Sequence, residues 1–230
     1  MIRGKVKDRI MATQNLMLGD CMEWMKGLPD KYYYLAHCDP NWGIGADKPT
    51  KKPNEVKQRN GSILKVNAPV YEHKNWDSQP PQSEYFKELK RVSEHQIIWG
   101  VNFFDYHLKG GRIVWDKLNG ESDQFDCELA YCSFNNRIDI VRYMWAGMFQ
   151  GASVSKLVSE ANIQQGNKQL NQKRIHPTEK PIPFYKYFLE KYATPGQKIF
   201  DSHGGSFSHA IAAYDLGFDL DIIEIDLTIS

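Results

Sequence analysis

No stretch of this chain approaches the roughly 20 consecutive apolar residues that cross a bilayer, which excludes a transmembrane helix. The opening residues, with Arg3, Lys5, Lys7 and Arg9, also lack the apolar core of a signal peptide, so a cytoplasmic location is expected. Cysteine is scarce. The four present, Cys21, Cys38, Cys127 and Cys132, fall at no zinc-ligand spacing and read as free thiols in a reducing compartment, so no metal site is expected. No GxGxxG follows any predicted strand, which disfavours a dinucleotide-dependent oxidoreductase. Nor is there an excess of one charge: the formal net charge of +1 does not by itself announce a nucleic-acid binder.

What is present fits one well-buried α/β domain with insertions, since 230 residues at 41% hydrophobic content are too few for two full-sized domains. Apolar runs at 14–18, 33–38, 96–99, 112–115, 128–133, 140–144, 198–200 and 220–225 read as strands. Helices are expected through Met22 and Met25, over 83–92 with Tyr85, Phe86, Leu89 and Val92 on one face, and over 183–192 and 207–216. This alternation predicts a mostly parallel, twisted sheet with helices on both faces, a Rossmann-like fold. Two polar stretches interrupt it. One, about 43–82, is rich in Lys, Pro, Asn and Gly without periodicity and is expected to be a mobile loop. The other, about 147–175, is rich in Gln and Asn and reads as a second mobile insertion. Between Asp47 and Trp76 the first carries Lys48, Lys51, Lys52, Lys57, Arg59, Lys65 and Lys74 against three acids, which suits either a solvated surface or a grip on phosphates.

Three segments carry chemistry. Asp201-Ser-His-Gly-Gly-Ser206 lies between a strand and a helix, where glycines let the backbone approach a ligand and helix amides face it. Glu224 ends the next strand, where a carboxylate can accept hydrogen bonds from ribose hydroxyls. A glycine pair there is equally a plain tight turn. Asp39-Pro40-Asn41-Trp42 is the sharper signal, because it sits at the carboxyl end of an apolar strand, where open α/β sheets bind their ligands. Its carboxylate and the Pro40 carbonyl can accept hydrogens from an aromatic amino group, and the Trp42 ring offers a stacking face. A capping aspartate followed by a turn would look the same. The third segment, His176-Pro-Thr-Glu-Lys-Pro181, reads from its residues alone as a rigid start to the helix after it.

Taken together and in this order, DPNW, HPTEKP and DSHGGS resemble the DNA amino methyltransferases in the permuted, beta-class arrangement, which use S-adenosylmethionine (SAM). The phrase LGDCMEWMKGLPDKYYYLAHCDPNWGIG, residues 18–45, is similar to that family's opening, and the resemblance spans about residues 14–226. It implies a circularly permuted SAM-dependent methyltransferase fold and transfer of a methyl group to the exocyclic amino group of adenine in DNA. Cytosine-N4 transfer, or a homologue that binds SAM or DNA without catalysis, are the alternatives. On this resemblance Asp39, Pro40 and Trp42 are catalytic and receive a flipped base. Asp20 meets the adenine moiety of SAM, Glu224 holds its ribose, and Asp201, Gly204, Gly205 and Ser206 line its methionine end, bordered by Thr178 and Lys180. Lys51, Lys52, Lys57 and Arg59 are the expected phosphate contacts, and 147–175 the target-recognition insertion. A homodimer and a cognate restriction endonuclease are the protein partners it implies. The chain departs from the family pattern at Asn41 and Trp42, in place of proline and tyrosine, and at His203 and Phe207, in place of phenylalanine and glycine.

Overall fold

A computed structural model describes residues 12–46, 55–57, 61–65, 77–118, 125–146, 149–152, 162–165, 172 and 178–226. In chain order the elements are β1 (Gln14–Leu18), α1 (Cys21–Lys26), β2 (Tyr33–Cys38), β3 (Glu55–Lys57), β4 (Ile63–Lys65), α2 (Ser83–Val92), β5 (Ser93–Trp99) and a 3-10 turn (Val101–Phe103). They continue with β6 (Gly111–Asp116), β7 (Cys127–Cys132), β8 (Ile138–Arg142), β9 (Met144–Ala146), β10 (Phe149–Ala152), β11 (Asn162–Gln165), α3 (Ile182–Tyr192), β12 (Lys198–Asp201), α4 (Ser208–Leu216) and β13 (Asp219–Glu224).

Eight strands form the main sheet, in the order β1-β13-β12-β2-β5-β7-β6-β8. From β1 to β5 every pair is parallel. β7 runs antiparallel to both β5 and β6, and β8 is parallel to β6. Burial on both faces explains why the central strands read as nearly unbroken apolar runs. Alternate residues go to opposite layers: Leu35, Ile97, Ile199 and Ile222 pack with Phe184, Phe188, Leu189 and Ala213 of α3 and α4. Ala36, Ile98, Phe200 and Ile223 pack with Met25 of α1 and Tyr85, Phe86, Leu89 and Val92 of α2.

The structure departs from the sequence expectations at three places. The 43–82 stretch holds an antiparallel hairpin, β3 with β4. The 147–175 stretch contributes β10 and β11, which join β9 in a separate three-stranded antiparallel sheet. Neither stretch has an apolar alternation, so the backbone pairing that organises these strands leaves no periodic trace in the sequence. The strand expected over 140–144 is two, β8 and β9, interrupted at Tyr143. Its carbonyl accepts the Trp115 indole N–H at 2.9 Å, a side-chain bond that hydropathy cannot reveal.

Candidate active site

Because β1, β13, β12, β2 and β5 are adjacent and parallel, the residues that follow their last positions line up along one edge of the sheet. Asp20 follows β1, Glu224 ends β13, Asp201 ends β12, Asp39 follows β2 and Gly100 follows β5. The tips are stitched together by backbone bonds, Gly19 N–H to the Glu224 carbonyl at 3.0 Å and Gly204 N–H to the Ile223 carbonyl at 2.8 Å.

Both oxygens of Asp39 are engaged. Oδ1 accepts the Trp42 indole N–H at 3.2 Å, and Oδ2 is bonded to the Lys180 ammonium. Lys180 also lies 3.1 Å from Glu128 Oε2, and the other Glu128 oxygen takes Lys117 at 2.6 Å. These are buried charges, with side-chain exposures of 2% for Lys180, 9% for Glu128 and 18% for Asp39. Burial pushes the Asp39 carboxyl up to about 6, with the nearby charges of Glu128 and Asp201 adding to it and Lys180 opposing. For Glu128 burial pulls the same way, but Lys180 and Lys117 together hold it below the usual carboxylate range. Burial would lower Lys180, yet Asp39 and Glu128 keep its ammonium firmly charged.

The loop after Asp39 is held from below by Asp77, a buried residue whose Oδ1 accepts the amides of Trp42 at 2.8 Å and Gly43 at 2.7 Å and whose Oδ2 accepts Ala46 N–H at 2.8 Å. This clamp supplies the stiffness that Asn41 in place of proline would otherwise remove. The Trp42 ring lies against Gly100, where an added Cβ would come within 2.2 Å of the indole nitrogen. It stacks on Phe103 at 5.1 Å, with Phe125 beyond at 6.4 Å. The Lys180 ammonium sits 5.3 Å from its centre.

On the neighbouring strand the glycine turn is built around Glu224. Its Oε2 accepts Gly205 N–H at 2.7 Å, while Oε1 accepts the amides of Ile225 at 2.9 Å and Asp226 at 3.2 Å. Gly205 has φ +50 with open space beside its Cα, whereas the Phe207 ring covers Gly204, 2.8 Å from where a Cβ would be. Phe207 itself has φ +56, the left-handed region that suits a glycine. Asp201 is turned inward: Oδ1 accepts His203 N–H at 3.1 Å and Oδ2 meets the His209 ring at 2.9 Å. Ser206 is buried against the Ser208 hydroxyl at 2.9 Å.

Of the HPTEKP segment, residues from Thr178 onward are described. Thr178 is exposed, Glu179 and Lys180 are buried, and Pro181 leads into α3. The Glu179 carbonyl accepts the Trp145 indole N–H at 2.8 Å, tying the segment to β9.

No protein-family model matches the chain, and no curated protein matches it. Among solved structures it is similar to the PvuII DNA methyltransferase (cytosine-N4-specific), with a TM-score of 0.52 and 11% identity over 95% of this chain and 84% of that one. It is also similar to M1.HpyAVI in its SAM complex, with a TM-score of 0.50 and 13% identity over 94% of this chain and 96% of that one. The fold is that of the SAM-dependent methyltransferases.

Within that fold the structure joins Asp39 to Trp42 and Lys180, and Glu224 to Gly205. Asp20 stands at the next strand tip, capping α1 by accepting Met22 N–H at 2.7 Å. Lys57 falls within β3, and Lys51, Lys52 and Arg59 lie outside the described residues, as does His176. Sequence reasoning missed Asp77 and Glu128. Glu128 left one faint signal, an acid inside the otherwise apolar strand of residues 127–132.

Proposed function

We propose that this chain is a DNA methyltransferase that moves a methyl group from SAM to the exocyclic amino group of adenine, in the permuted arrangement. The observation that carries this reading is the placement of the Asp39 carboxylate on the same sheet edge as the glycine turn, one strand away. Permutation is supported by β1 lying outside β13, the order expected of a methyltransferase sheet opened between its second and third strands.

The residues present fit SAM. Gly205 leaves open space at a backbone that would approach a ligand, and Glu224 and Asp20 offer carboxylate oxygens to a nucleoside from adjacent tips. A hollow of about 320 Å³ lies beside the tip of β1, lined by Leu18, Gly19, Asp20, Trp24 and Ile223. Glu224, Gly205 and Asp20 would hold the cofactor, which supplies a methyl group on a sulfonium sulfur able to leave as a neutral thioether.

The chain's own residues do the rest. An aromatic amino group is a poor nucleophile because its lone pair is delocalised into the ring. Asp39 and the Pro40 carbonyl, by accepting its two hydrogens, favour a tetrahedral nitrogen with the lone pair directed outward. The proton shed by the methylated nitrogen passes to the Asp39 carboxylate and then to solvent. A base in duplex DNA must be flipped out to arrive here, at a cost of a few kcal/mol. The Trp42–Phe103–Phe125 cluster, with Phe125 49% exposed, is the surface on which it would stack. The small sheet of β9, β10 and β11, anchored through Trp145, is the element that reads the surrounding sequence.

Asp39→Ala is expected to abolish methyl transfer to mixed-sequence DNA while SAM affinity, read by calorimetric titration, changes less than about threefold. Equal loss of both would count against Asp39 as the acceptor. Mass spectrometry of the product nucleosides separates N6-methyladenine from N4-methylcytosine. A homologue that binds without catalysing is favoured by one observation, the Phe207 ring over Gly204, and would show SAM binding with no transfer by the wild-type chain.

A further inference from the structure

Lys180 is a buried ammonium shared by two carboxylates from different parts of the sheet. Its partner Asp39 follows β2, and its other partner, Glu128, belongs to β7, on the far side of β5. The two contacts are unequal. Asp39 Oδ2 accepts a hydrogen bond from Lys180, whereas Glu128 Oε2, 3.1 Å from the same nitrogen, is buried without the alignment of a hydrogen bond. Glu128 therefore holds an acceptor in reserve. Its other oxygen is paired with Lys117 at 2.6 Å.

That arrangement answers a problem in the proposed reaction. An acceptor whose oxygens are taken by Trp42 and Lys180 must release one of them before it can take the hydrogens of an incoming amino group. A buried ammonium with a single carboxylate would have nowhere to go. With a second carboxylate in contact, it can turn from one to the other without losing its ion pair. The indole rings of Trp42 and Trp99 lie 5.3 and 5.5 Å from the nitrogen.

We propose that Glu128 is a positioning residue of the methyl-transfer site: acting through the shared Lys180 ammonium, it draws that cation off Asp39 so that the carboxylate can receive the amino group of the target base. The inference rests on the reading of Asp39 as acceptor. The charged and titratable groups facing Asp39 are Lys180 ahead of α3, Glu128 on β7 with Lys117 behind it, Asp201 at the end of β12 and Tyr185 on α3. Glu128 and Lys180 act on Asp39 with opposite signs, which makes the idea testable by direction as well as by size.

The test is an NMR titration of the full chain carrying ¹³C-labelled aspartate carboxyls, with the Asp39 signal assigned by its loss in Asp39→Asn. In Glu128→Gln, of the same shape but uncharged, the Asp39 midpoint is expected to fall by about one pH unit, and in Lys180→Met to rise by about one. The acid limb of kcat should follow the same directions, with kcat reduced at least tenfold in Glu128→Gln and KM for SAM within about twofold. An unmoved midpoint in Glu128→Gln, or shifts of the same sign in both variants, overturns the inference. If Lys180→Met does not fold, kcat of Glu128→Gln at pH 8, where Asp39 is ionised with or without Glu128, still decides: an unchanged value overturns the inference, because the midpoint alone would fall on removal of any nearby negative charge. Opposite shifts with no methyl transfer by the wild-type chain would support the coupling and overturn the reaction assigned above. Intact transfer with unmoved midpoints would do the reverse.

Discussion

At the scale of single residues the site turns on the ionisation of Asp39. The proposed role needs the carboxylate, and burial holds its carboxyl up to about 6. The rate is therefore expected to be level above neutral pH and to fall tenfold per pH unit below about 6, where the acid form prevails; a kcat profile between pH 5 and 8 measures this. An ordinary surface aspartate would keep full activity to about pH 5. Asp39 and Trp42 could be picked out as candidates in the sequence because a motif at the end of an apolar run is a local feature. The sequence could not show that the indole N–H of Trp42 donates to Asp39. Nor could it show that Phe207 adopts the left-handed backbone natural to the glycine it replaces.

At the scale of elements, residues 41–46, which follow β2, are held by their neighbours. Three of their backbone amides end on one buried carboxylate, Asp77. Asp77→Ala leaves those donors without their acceptor and is expected to cost about 2–4 kcal/mol of unfolding free energy in a denaturant titration. Asp77→Asn, which keeps one acceptor oxygen, should cost less. Gly100→Ala attacks the same loop from the end of β5: the residue has φ +76, and its new methyl would overlap the Trp42 ring. Loss of roughly 2–3 kcal/mol is expected, together with a shift of tryptophan fluorescence as the ring is displaced. The strands and helices of the main sheet were legible with errors of a few residues, since each buries a face whose period shows in the sequence. Asp77 was not legible, because its bonds reach back more than 30 residues across a loop without pattern. The β3–β4 hairpin and the β9–β11 sheet escaped for another reason: their pairings are short-range, but neither segment shows an apolar alternation.

For the molecule as a whole, pH acts on stability through the interior behind the site. His37 is fully buried on β2, its Nε2 accepting the Trp99 indole N–H at 3.0 Å, beside His209 at 5.0 Å between ring centres. Burial, with His209 and Lys180 nearby, holds it well below the ordinary histidine range. Above pH 6.5 both folded and unfolded chains carry it neutral. As pH falls below 6.5 the unfolded chain binds a proton that the folded chain refuses, and stability is lost. His95 and His203, lowered mainly by burial, act the same way. Asp39 acts in the opposite sense between about pH 6 and 4, because its folded carboxyl takes up a proton first. The histidines and Asp39 oppose each other below about pH 6, so the His37 contribution is read as a difference: the wild-type chain is expected to lose up to about 1 kcal/mol of stability per pH unit relative to His37→Asn between pH 6.5 and 5. Thermal melts of both chains over that range check it, since His37→Asn keeps an acceptor for Trp99 without a titrating ring.

The pairing of β1 with β13 joins Gln14 to Leu220 and Leu18 to Glu224. On the ribosome, at roughly 5–20 residues per second, β1 therefore waits about 10–40 s for β13, its one neighbour in the sheet among the described residues, to be synthesised. Through that interval Leu16 and Leu18 belong to a nascent chain with an unsatisfied hydrogen-bonding edge, open to chaperones and to other nascent copies. The yield of soluble protein is therefore expected to change with the speed of translation and with holdase capacity.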